Sequence, residues 1–439
     1  MSTVPTATPS EISTMSDGRR VFAIFAASSG NLVEWYDFYA YAFTAIYFAH
    51  AFFPKGDPTV ELMNAAAVFA IGFLMRPIGG WLFGRIADRY GRKFSMILAV
   101  LMMCGGSLAI GLLPTWETVG LLAPALLLLA RMVQGLSVGG EYGTSATYMS
   151  EVAKPGRRGF FSSFQYVTLI GGQLLASVVV LALHDVLGEE GMRAWGWRVP
   201  FFIGAGAALI ALFLRRTLSE TLPEERARRR EAGSLRALIA DHPRAFLLVL
   251  GLTAGGSLMF YTWSTYMQKY LLNTTGLPTY TVGVVMTAAL LAFMLAQPAF
   301  GYLSDHIGRR ACIIIFGLLG MFCTVPLLRA IAGASDPFTA WALVMLGMLM
   351  ICFYTSIGGV VKAELFPAEV RALGVGFPYA VANAVFGGSA EYVALRLKDA
   401  GVESWFGWYV TAMAALVFVV GLLMPDNRKT GYLRGEGVD

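Results

Sequence analysis

Twelve times along this chain of 439 residues, an apolar run reaches the length needed to cross a bilayer. A spanning helix takes about 20 mostly apolar residues. The runs fall at 21–49, 61–83, 94–113, 119–144, 159–183, 197–214, 245–271, 281–301, 311–331, 338–363, 371–395 and 404–424. Lipid offers no partner to a backbone N–H or C=O, so each run is expected to close its hydrogen bonds on itself as a helix. Composition agrees: 56% of the residues are hydrophobic and 14% charged, where soluble domains carry about 25% charged residues. The expected fold class is an all-α polytopic membrane protein of twelve transmembrane helices.

The placing of Lys and Arg orients the runs. With a cytoplasmic N-terminus, 23 of these residues fall on that side and six on the other, namely Lys55, Arg193, Arg198, Arg329, Arg396 and Lys398. Such an excess marks the cytoplasmic side, so both termini are expected there. The net charge of +5 sits in short loops between spans, which argues against nucleic acid as a partner. Residues 1–18, rich in Ser, Thr and Pro without an apolar core, read as a disordered tail rather than a signal peptide. The stretch 215–244 contains Glu224-Glu225-Arg226-Ala227-Arg228-Arg229-Arg230-Glu231. It reads as a cytoplasmic linker, solvated or lying along the membrane surface, with anionic-lipid attraction a secondary role. Residues 425–439 read as a second cytoplasmic tail. Cys104, Cys312, Cys323 and Cys352 lie inside apolar runs without metal-ligand spacing and read as small core residues.

One dense charge cluster, Gly84-Arg85-Ile86-Ala87-Asp88-Arg89-Tyr90-Gly91-Arg92-Lys93, returns 217 residues later as Gly301-Tyr302-Leu303-Ser304-Asp305-His306-Ile307-Gly308-Arg309-Arg310. Glu151, followed by Arg157-Arg158-Gly159, likewise corresponds to Glu364, followed by Arg371 and Gly374, at an offset of 213. The chain therefore reads as two six-helix halves, 19–214 and 245–424, with a substrate site between them and a rocking motion. Asp88 is expected to accept from a helix N-terminus or an arginine only while the halves are closed. That makes Asp88, Arg92, Asp305, Arg309, Glu151, Arg157, Glu364 and Arg371 candidate gating residues. The competing reading is a topology anchor built from Arg85, Arg89, Arg92 and Lys93. The second copy carries fewer charges and is expected to matter less.

The paired clusters, the twelve runs, the central loop and Arg131-x-x-Gln134-Gly135 resemble the major facilitator superfamily. Gly30-Asn31-Leu32-Val33-Glu34-Trp35-Tyr36-Asp37-Phe38-Tyr39, Arg76-Pro77-Ile78-Gly79-Gly80 and Gly139-Gly140-Glu141-Tyr142 resemble its metabolite:proton symporter family. Phe164 to Leu175, Thr262 to Tyr270 and Tyr379 to Leu395 are similar to the members of that family that carry 2-oxoglutarate. The resemblance runs from about residue 19 to 424. It implies proton-coupled import of 2-oxoglutarate across a bacterial inner membrane, with a small dicarboxylate as substrate, the proton as coupling ion and no cofactor. A monomer in the lipid bilayer is expected.

A charge near the bilayer midplane costs at least a few kcal/mol and usually faces a partner or a cavity. Glu34 and Asp37, three apart in the first span, share a helix face and are candidates for protonation; the alternative is a permanent ion pair with a neighbouring span. Arg76, followed by Pro77, suits bidentate grip of a carboxylate or structural pairing with Glu34 or Asp37. Arg131 is tied by the superfamily resemblance to proton coupling, and substrate contact is its other reading. Glu141, among glycines, reads equally as a gating or a proton-transfer group. Lys269 and Lys362 are candidates for the second cation of a dianion site, or for snorkelling to an interface. Tyr36, Gln165, Gln173, Tyr261, Tyr266 and Asn383 are uncharged candidates for substrate contact, against a role in helix–helix adhesion. Arg198, beside Trp197, reads first as an interfacial anchor and otherwise belongs with the gate. Glu391 and Arg396 are a possible outer pair.

The rivals on the same scaffold are symporters for citrate, shikimate, or a zwitterion such as proline or betaine. Outside it stand a channel, which would not need paired charge clusters, and a non-transporting sensor, which would need a further signalling domain. The chain shows no nucleophile–base arrangement, metal cluster or phosphate loop, so enzyme activity is not expected.

Overall fold

The computed structural model describes residues 16–53, 58–222, 232–426 and 431–433. Lys55, most of the N-terminal tail, the charged run Glu224 to Glu231 and the tail beyond Leu433 lie outside them. Twelve long helical stretches fill the described chain: α1 Asp17–Phe52, α2 Pro58–Tyr90, α3 Arg92–Leu112, α4 Leu122–Val152, α5 Arg158–Ala194, α6 Gly196–Arg216, α7 Pro243–Thr274, α8 Thr279–Ile307, α9 Arg309–Ala332, α10 Pro337–Ala363, α11 Arg371–Asp399 and α12 Ser404–Leu423. Ten of them are long and apolar enough to cross a membrane by length and composition. The two outside that group are α1, which carries Glu34, Asp37 and a run of tyrosines, and α11, rich in Gly and interrupted by Pro378 and Asn383. Both trade apolar surface for polar side chains.

The helices outrun the apolar segments that seed them. α1 begins at Asp17, inside the stretch expected to be tail, and Ser16 caps it by accepting from the Arg19 N–H. α2 stays helical through Pro77 and through most of the charged cluster to Tyr90. The cluster is thus the last two turns of a helix, with Gly91 as the break. Gly91 and its counterpart Gly308 adopt φ of 108° and 95°, a region that favours residues without a Cβ. The chain reverses there and re-enters a helix at once. α6 continues to Arg216, so Arg215 belongs to a helix and not to the linker.

Packing repeats with a shift of six helices. α1 packs on α5 and α6, α2 on α4, and α3 on α4 and α6; α7 packs on α11 and α12, α8 on α10, and α9 on α10 and α12. The two sets meet through α2 and α4 against α11, and through α5 against α8. The apolar windows of α7 and α10 are 72% and 83% buried, against 39% for α9 and α12, which puts the former pair inside and the latter toward lipid. α2 and α4 approach closely enough that a Cβ at Gly139 would strike the backbone of Arg76 and one at Gly135 the backbone of Gly72. Small residues at such crossings let backbones touch, and here they fix Arg76 against α4.

Candidate substrate and coupling site

At one face of the bundle, the two charged clusters perform the same act on opposite sets. Asp88, at the end of α2, accepts from the Ala372 and Leu373 N–H groups at 2.9 and 2.8 Å. Asp305, at the end of α8, accepts from Gly159 and Phe160 N–H at 2.8 and 3.0 Å. Each carboxylate therefore satisfies orphan donors at the first turn of a helix from the other set, where the helix dipole favours negative charge. The first glycine of each cluster makes room: a Cβ at Gly84 would meet Leu373 Cα at 2.7 Å, and one at Gly301 would meet the Gly159 carbonyl at 2.5 Å. Arg92 lies 3.2 Å from Asp88 and Arg309 2.8 Å from Asp305.

Glu151 gathers Arg371 at 2.7 Å and Arg92 at 3.3 Å, joining α3, α4 and α11 across the sets. Glu364 lies 3.8 Å from Arg309. Arg157 does not take part as expected: it is exposed, and its neighbour Arg158, at an offset of 213 from Arg371, occupies the matching first-turn position of α5 and donates to the Leu433 carbonyl at 2.9 Å. The carboxylate of the second cluster makes the same two N–H contacts and the same arginine contact as that of the first. Glu220, just past α6, was not singled out in the sequence; it accepts from the Arg92 and Lys93 N–H groups at 2.9 and 3.1 Å. Burial pushes its carboxyl above the usual range, against the lowering pull of the Leu222 N–H and Arg92. Arg198 lies elsewhere, donating to the Gly111 and Leu113 carbonyls at 2.7 and 2.9 Å and stacking on Trp197.

Deeper in the bundle, Glu34 and Asp37 both face the α3–α4 pair, as their spacing requires. Glu34 Oε1 accepts from Ser137 at 2.7 Å. Asp37 Oδ2 accepts from Ser107, while its Oδ1 is buried without a partner. Neither carboxylate pairs with Arg76, whose terminal nitrogens find no partner among the described residues, so of its two readings the structural pairing is excluded here. Asp37 instead begins a relay: Gln134 Nε2 donates to Ser107 Oγ at 2.9 Å, and Arg131 Nη1 donates to Gln134 Oε1 at 2.7 Å. Arg131 also stacks on Tyr41 with its guanidinium carbon 4.2 Å from the ring centre. Glu141 is held by Arg215 in a two-pronged ion pair, one arm at 2.9 Å, and Arg215 also donates to the Met96 and Ala27 carbonyls. Arg215 was missed because it stands at the edge of a charged stretch; only the helix it ends turns it inward.

Arg76 is 2% exposed, and neither terminal nitrogen has a hydrogen-bond partner among the described residues. Three aromatic rings hold it: Phe73, Phe38 and Trp35, with centres 3.9, 4.7 and 5.3 Å from the guanidinium carbon. Lys362, from the other set, is fully buried with no acidic partner among the described residues. Its Nζ donates to Tyr142 Oη at 3.1 Å and lies 4.5 Å from the Tyr379 ring centre. Tyr142 and Tyr379 stack face to face at 3.5 Å. Both rings line, with Arg76, Glu34 and Asn31, a cavity of about 10 Å³, which has room for about one water. A larger cavity of about 700 Å³ lies between α1, α5, α7 and α8, toward the face opposite Asp88, and is lined by Gln173, Ser177, Ser264, Gln268 and Thr287 among apolar residues.

The remaining candidates divide. Tyr261 Oη, Asn383 Nδ2 and Gln173 Oε1 are buried without partners. Tyr36 donates to the Pro200 carbonyl at 3.0 Å and points into α6. Gln165 is engaged by Ser145 and Asn31. Tyr266 reaches Glu403 at 3.4 Å, beside α12. Lys269, half-exposed, pairs with Glu391 and is not enclosed with Arg76. Donation to a substrate by Tyr36 or Tyr266 would require the hydrogen bond of its phenol O–H to be given up, since each has a single donor.

The model of the Major Facilitator Superfamily matches residues 27–390 and 268–433. The chain is 60% identical over 420 residues to the alpha-ketoglutarate permease of Escherichia coli (strain K12), covering 96% of this chain and 97% of that one. It is 33% identical over 419 residues to a citrate–proton symporter of Salmonella typhi, covering 94% and 96%. Among solved structures, the proton:xylose symporter XylE bound to 6-bromo-6-deoxy-D-glucose superposes with a TM-score of 0.76 at 17% identity, covering 95% of this chain and 98% of that one. The repeated helix contacts, the paired clusters and these matches agree: the chain belongs to the major facilitator superfamily.

Proposed function

We propose that this protein imports 2-oxoglutarate together with protons across the bacterial inner membrane by alternating access. The observation that carries the reading is the pair of buried cations, Arg76 from one six-helix set and Lys362 from the other, both without an acidic partner among the described residues. A buried charge left unpaired is costly; a dicarboxylate bridging the two sets would neutralise both. The guanidinium of Arg76 suits one carboxylate in a bidentate manner and the Lys362 ammonium the other as a point charge. The relative that is 60% identical is named for this substrate.

Asp37 is the proposed proton carrier, because it is buried, half-satisfied and outside any ion pair among the described residues. Its charge reaches Arg131 through Ser107 and Gln134. Protonation therefore loosens Arg131 rather than releasing Arg76 from an internal carboxylate. The Asp88 and Asp305 face is taken as cytoplasmic, with both termini there, and the larger cavity as the external entrance. Binding parts the Tyr142–Tyr379 stack, the sets rock, and the clusters at the inner face separate. The protein is expected to work as a monomer.

The test is radiolabelled 2-oxoglutarate uptake into vesicles with an inward proton gradient, challenged by unlabelled citrate, succinate, proline and shikimate. Accumulation that collapses with an uncoupler is expected. Uncoupler-insensitive equilibration would sink the symport reading, and accumulation of citrate in place of 2-oxoglutarate would move the substrate within the family.

A further inference from the structure

α7 and α11 each loosen into a π turn, Thr262–Tyr266 and Asn383–Gly387. Single π turns inside α-helices recur at functional sites. Here they immediately follow Tyr261 and begin at Asn383. Tyr261 is 7% and Asn383 1% exposed, and among the described residues Tyr261 Oη and Asn383 Nδ2 both lack a hydrogen-bond partner. The two side chains meet across Gly387, where a Cβ would lie 2.7 Å from Tyr261 Cε2 and would strike Asn383 Oδ1. They also border the Arg76 cage. The Tyr261 ring centre is 6.4 Å from that of Phe73, and Phe73 is the ring on which Arg76 stacks most closely. A Cβ at the next residue, Gly388, would touch Phe73 Cδ1 at 3.3 Å. Among the described residues, two neutral donors without acceptors thus lie together at Gly387, and the ring of one packs on Phe73, which stacks on a guanidinium without a carboxylate.

A buried donor left without an acceptor is destabilising, so a pair of them beside the cation marks a place where a ligand supplies an acceptor. A phenol O–H and an amide N–H₂ suit an uncharged oxygen. In a 2-oxo acid that oxygen is bonded to the carbon next to a carboxylate. We propose that Tyr261 and Asn383 donate to the keto oxygen of the substrate whose adjacent carboxylate Arg76 grips, and so set the preference for a 2-oxo dicarboxylate over a plain one. The inference rests on the 2-oxoglutarate reading above. A site built to hydrogen-bond a group rejects an analogue that lacks it, because the donors are then left unpaired.

The comparison compound is glutarate, which keeps both carboxylates and the carbon count but has CH₂ in place of the ketone. The full chain is reconstituted in proteoliposomes, and KM is measured for both compounds. In the wild type the KM of glutarate is expected to exceed that of 2-oxoglutarate by at least about tenfold. Tyr261→Phe and Asn383→Leu should each lower that ratio by about three- to tenfold, the worth of one neutral hydrogen bond, and together bring it near one. A merely structural role would slow transport of both compounds without moving the ratio. Tyr261→Phe removes a single oxygen from a side chain whose ring stays packed, so the test survives if Asn383→Leu fails to reach the membrane. A ratio unmoved in Tyr261→Phe, or a wild type that does not separate the two compounds, overturns the assignment alone. A wild type that takes up neither overturns the 2-oxoglutarate reading and the assignment with it.

Discussion

Replacing Asp88 by Asn should open the cytoplasmic face without harming insertion. Asp88 holds two N–H groups of α11 at 2.9 and 2.8 Å and Arg92 at 3.2 Å. Charge-assisted hydrogen bonds are worth about 1.5–3 kcal/mol each. Asn keeps one acceptor oxygen but turns an NH₂ toward the second N–H and loses the charge favoured at a helix start. The loss comes to about 2–3 kcal/mol, which shifts the closed-to-open ratio by about 30- to 150-fold. Ala372, buried at this contact, is changed to Cys in a chain whose four free cysteines are replaced. Labelling by a membrane-impermeant maleimide is then followed in inside-out vesicles. The rate should rise by the same factor, with uptake reduced. Asp305→Asn, probed by a cysteine in the first turn of α5, should have an effect within about threefold of that, because its two N–H contacts and its arginine are equivalent. Inserted protein whose labelling rate stays within twofold of the wild type would refute the latch. Failure of insertion would favour the topology anchor.

Arg76→Lys should raise the KM for 2-oxoglutarate at least about tenfold, since the ammonium loses both the fork and the flat stacking on Phe73; an unchanged KM would remove Arg76 from the site. Asp37→Asn should abolish accumulation against a gradient while leaving exchange of internal for external substrate, measured as counterflow; retained proton-driven accumulation would exclude Asp37 as carrier. Glu141→Gln should destabilise the fold by about 3–5 kcal/mol by stranding the Arg215 charge. The double change Glu141→Leu with Arg215→Met should recover most of that stability, read as thermal unfolding in detergent. Lack of any loss in the single variant would show that the pair is not the brace drawn here.

What the sequence made legible follows from how the signals are coded. Spans announce themselves by length, and the clusters by recurrence, so the twelve runs and the helix-start contact of Asp88 could be read before the fold. Gly84, Gly91, Gly301 and Gly308 appear in the sequence only as a pattern; the close crossings and positive φ that require them are three-dimensional. Pairing was the weak point. The reading that pairs Arg76 with Glu34 or Asp37 fails because helix rotation turns both carboxylates to Ser137 and Ser107, and hydroxyl partners leave no charge signal in a sequence. Arg157 and Arg158 are adjacent and chemically identical, and only the 213-residue register with Arg371 separates them. Arg215 was assigned to a linker because the apolar run ends one residue earlier, although the helix does not.

The gate and the site follow different rules, and the difference bears on mechanism. The gate is duplicated: α2 reaches α11 as α8 reaches α5. The charges of the site are not. At the offset of 217 that aligns Asp88 with Asp305, Arg76 falls on Phe293. At the offset of 213 that aligns Glu151 with Glu364, Arg131 falls on Val344, Glu141 on Tyr354, and Lys362 on Met149. The relay from Asp37 to Arg131 therefore lies wholly within the first six helices, and the second set contributes Lys362 and neutral donors. A proton can then change the charge of one set alone, whereas a dianion must touch both. In the proposed cycle, substrate binding, not protonation, is the step that bridges the two sets once the Tyr142–Tyr379 stack has parted. The two clusters make matching contacts, Asp88 on α11 and Asp305 on α5, so in the proposed cycle that single asymmetric contact becomes a balanced rocking of the two sets.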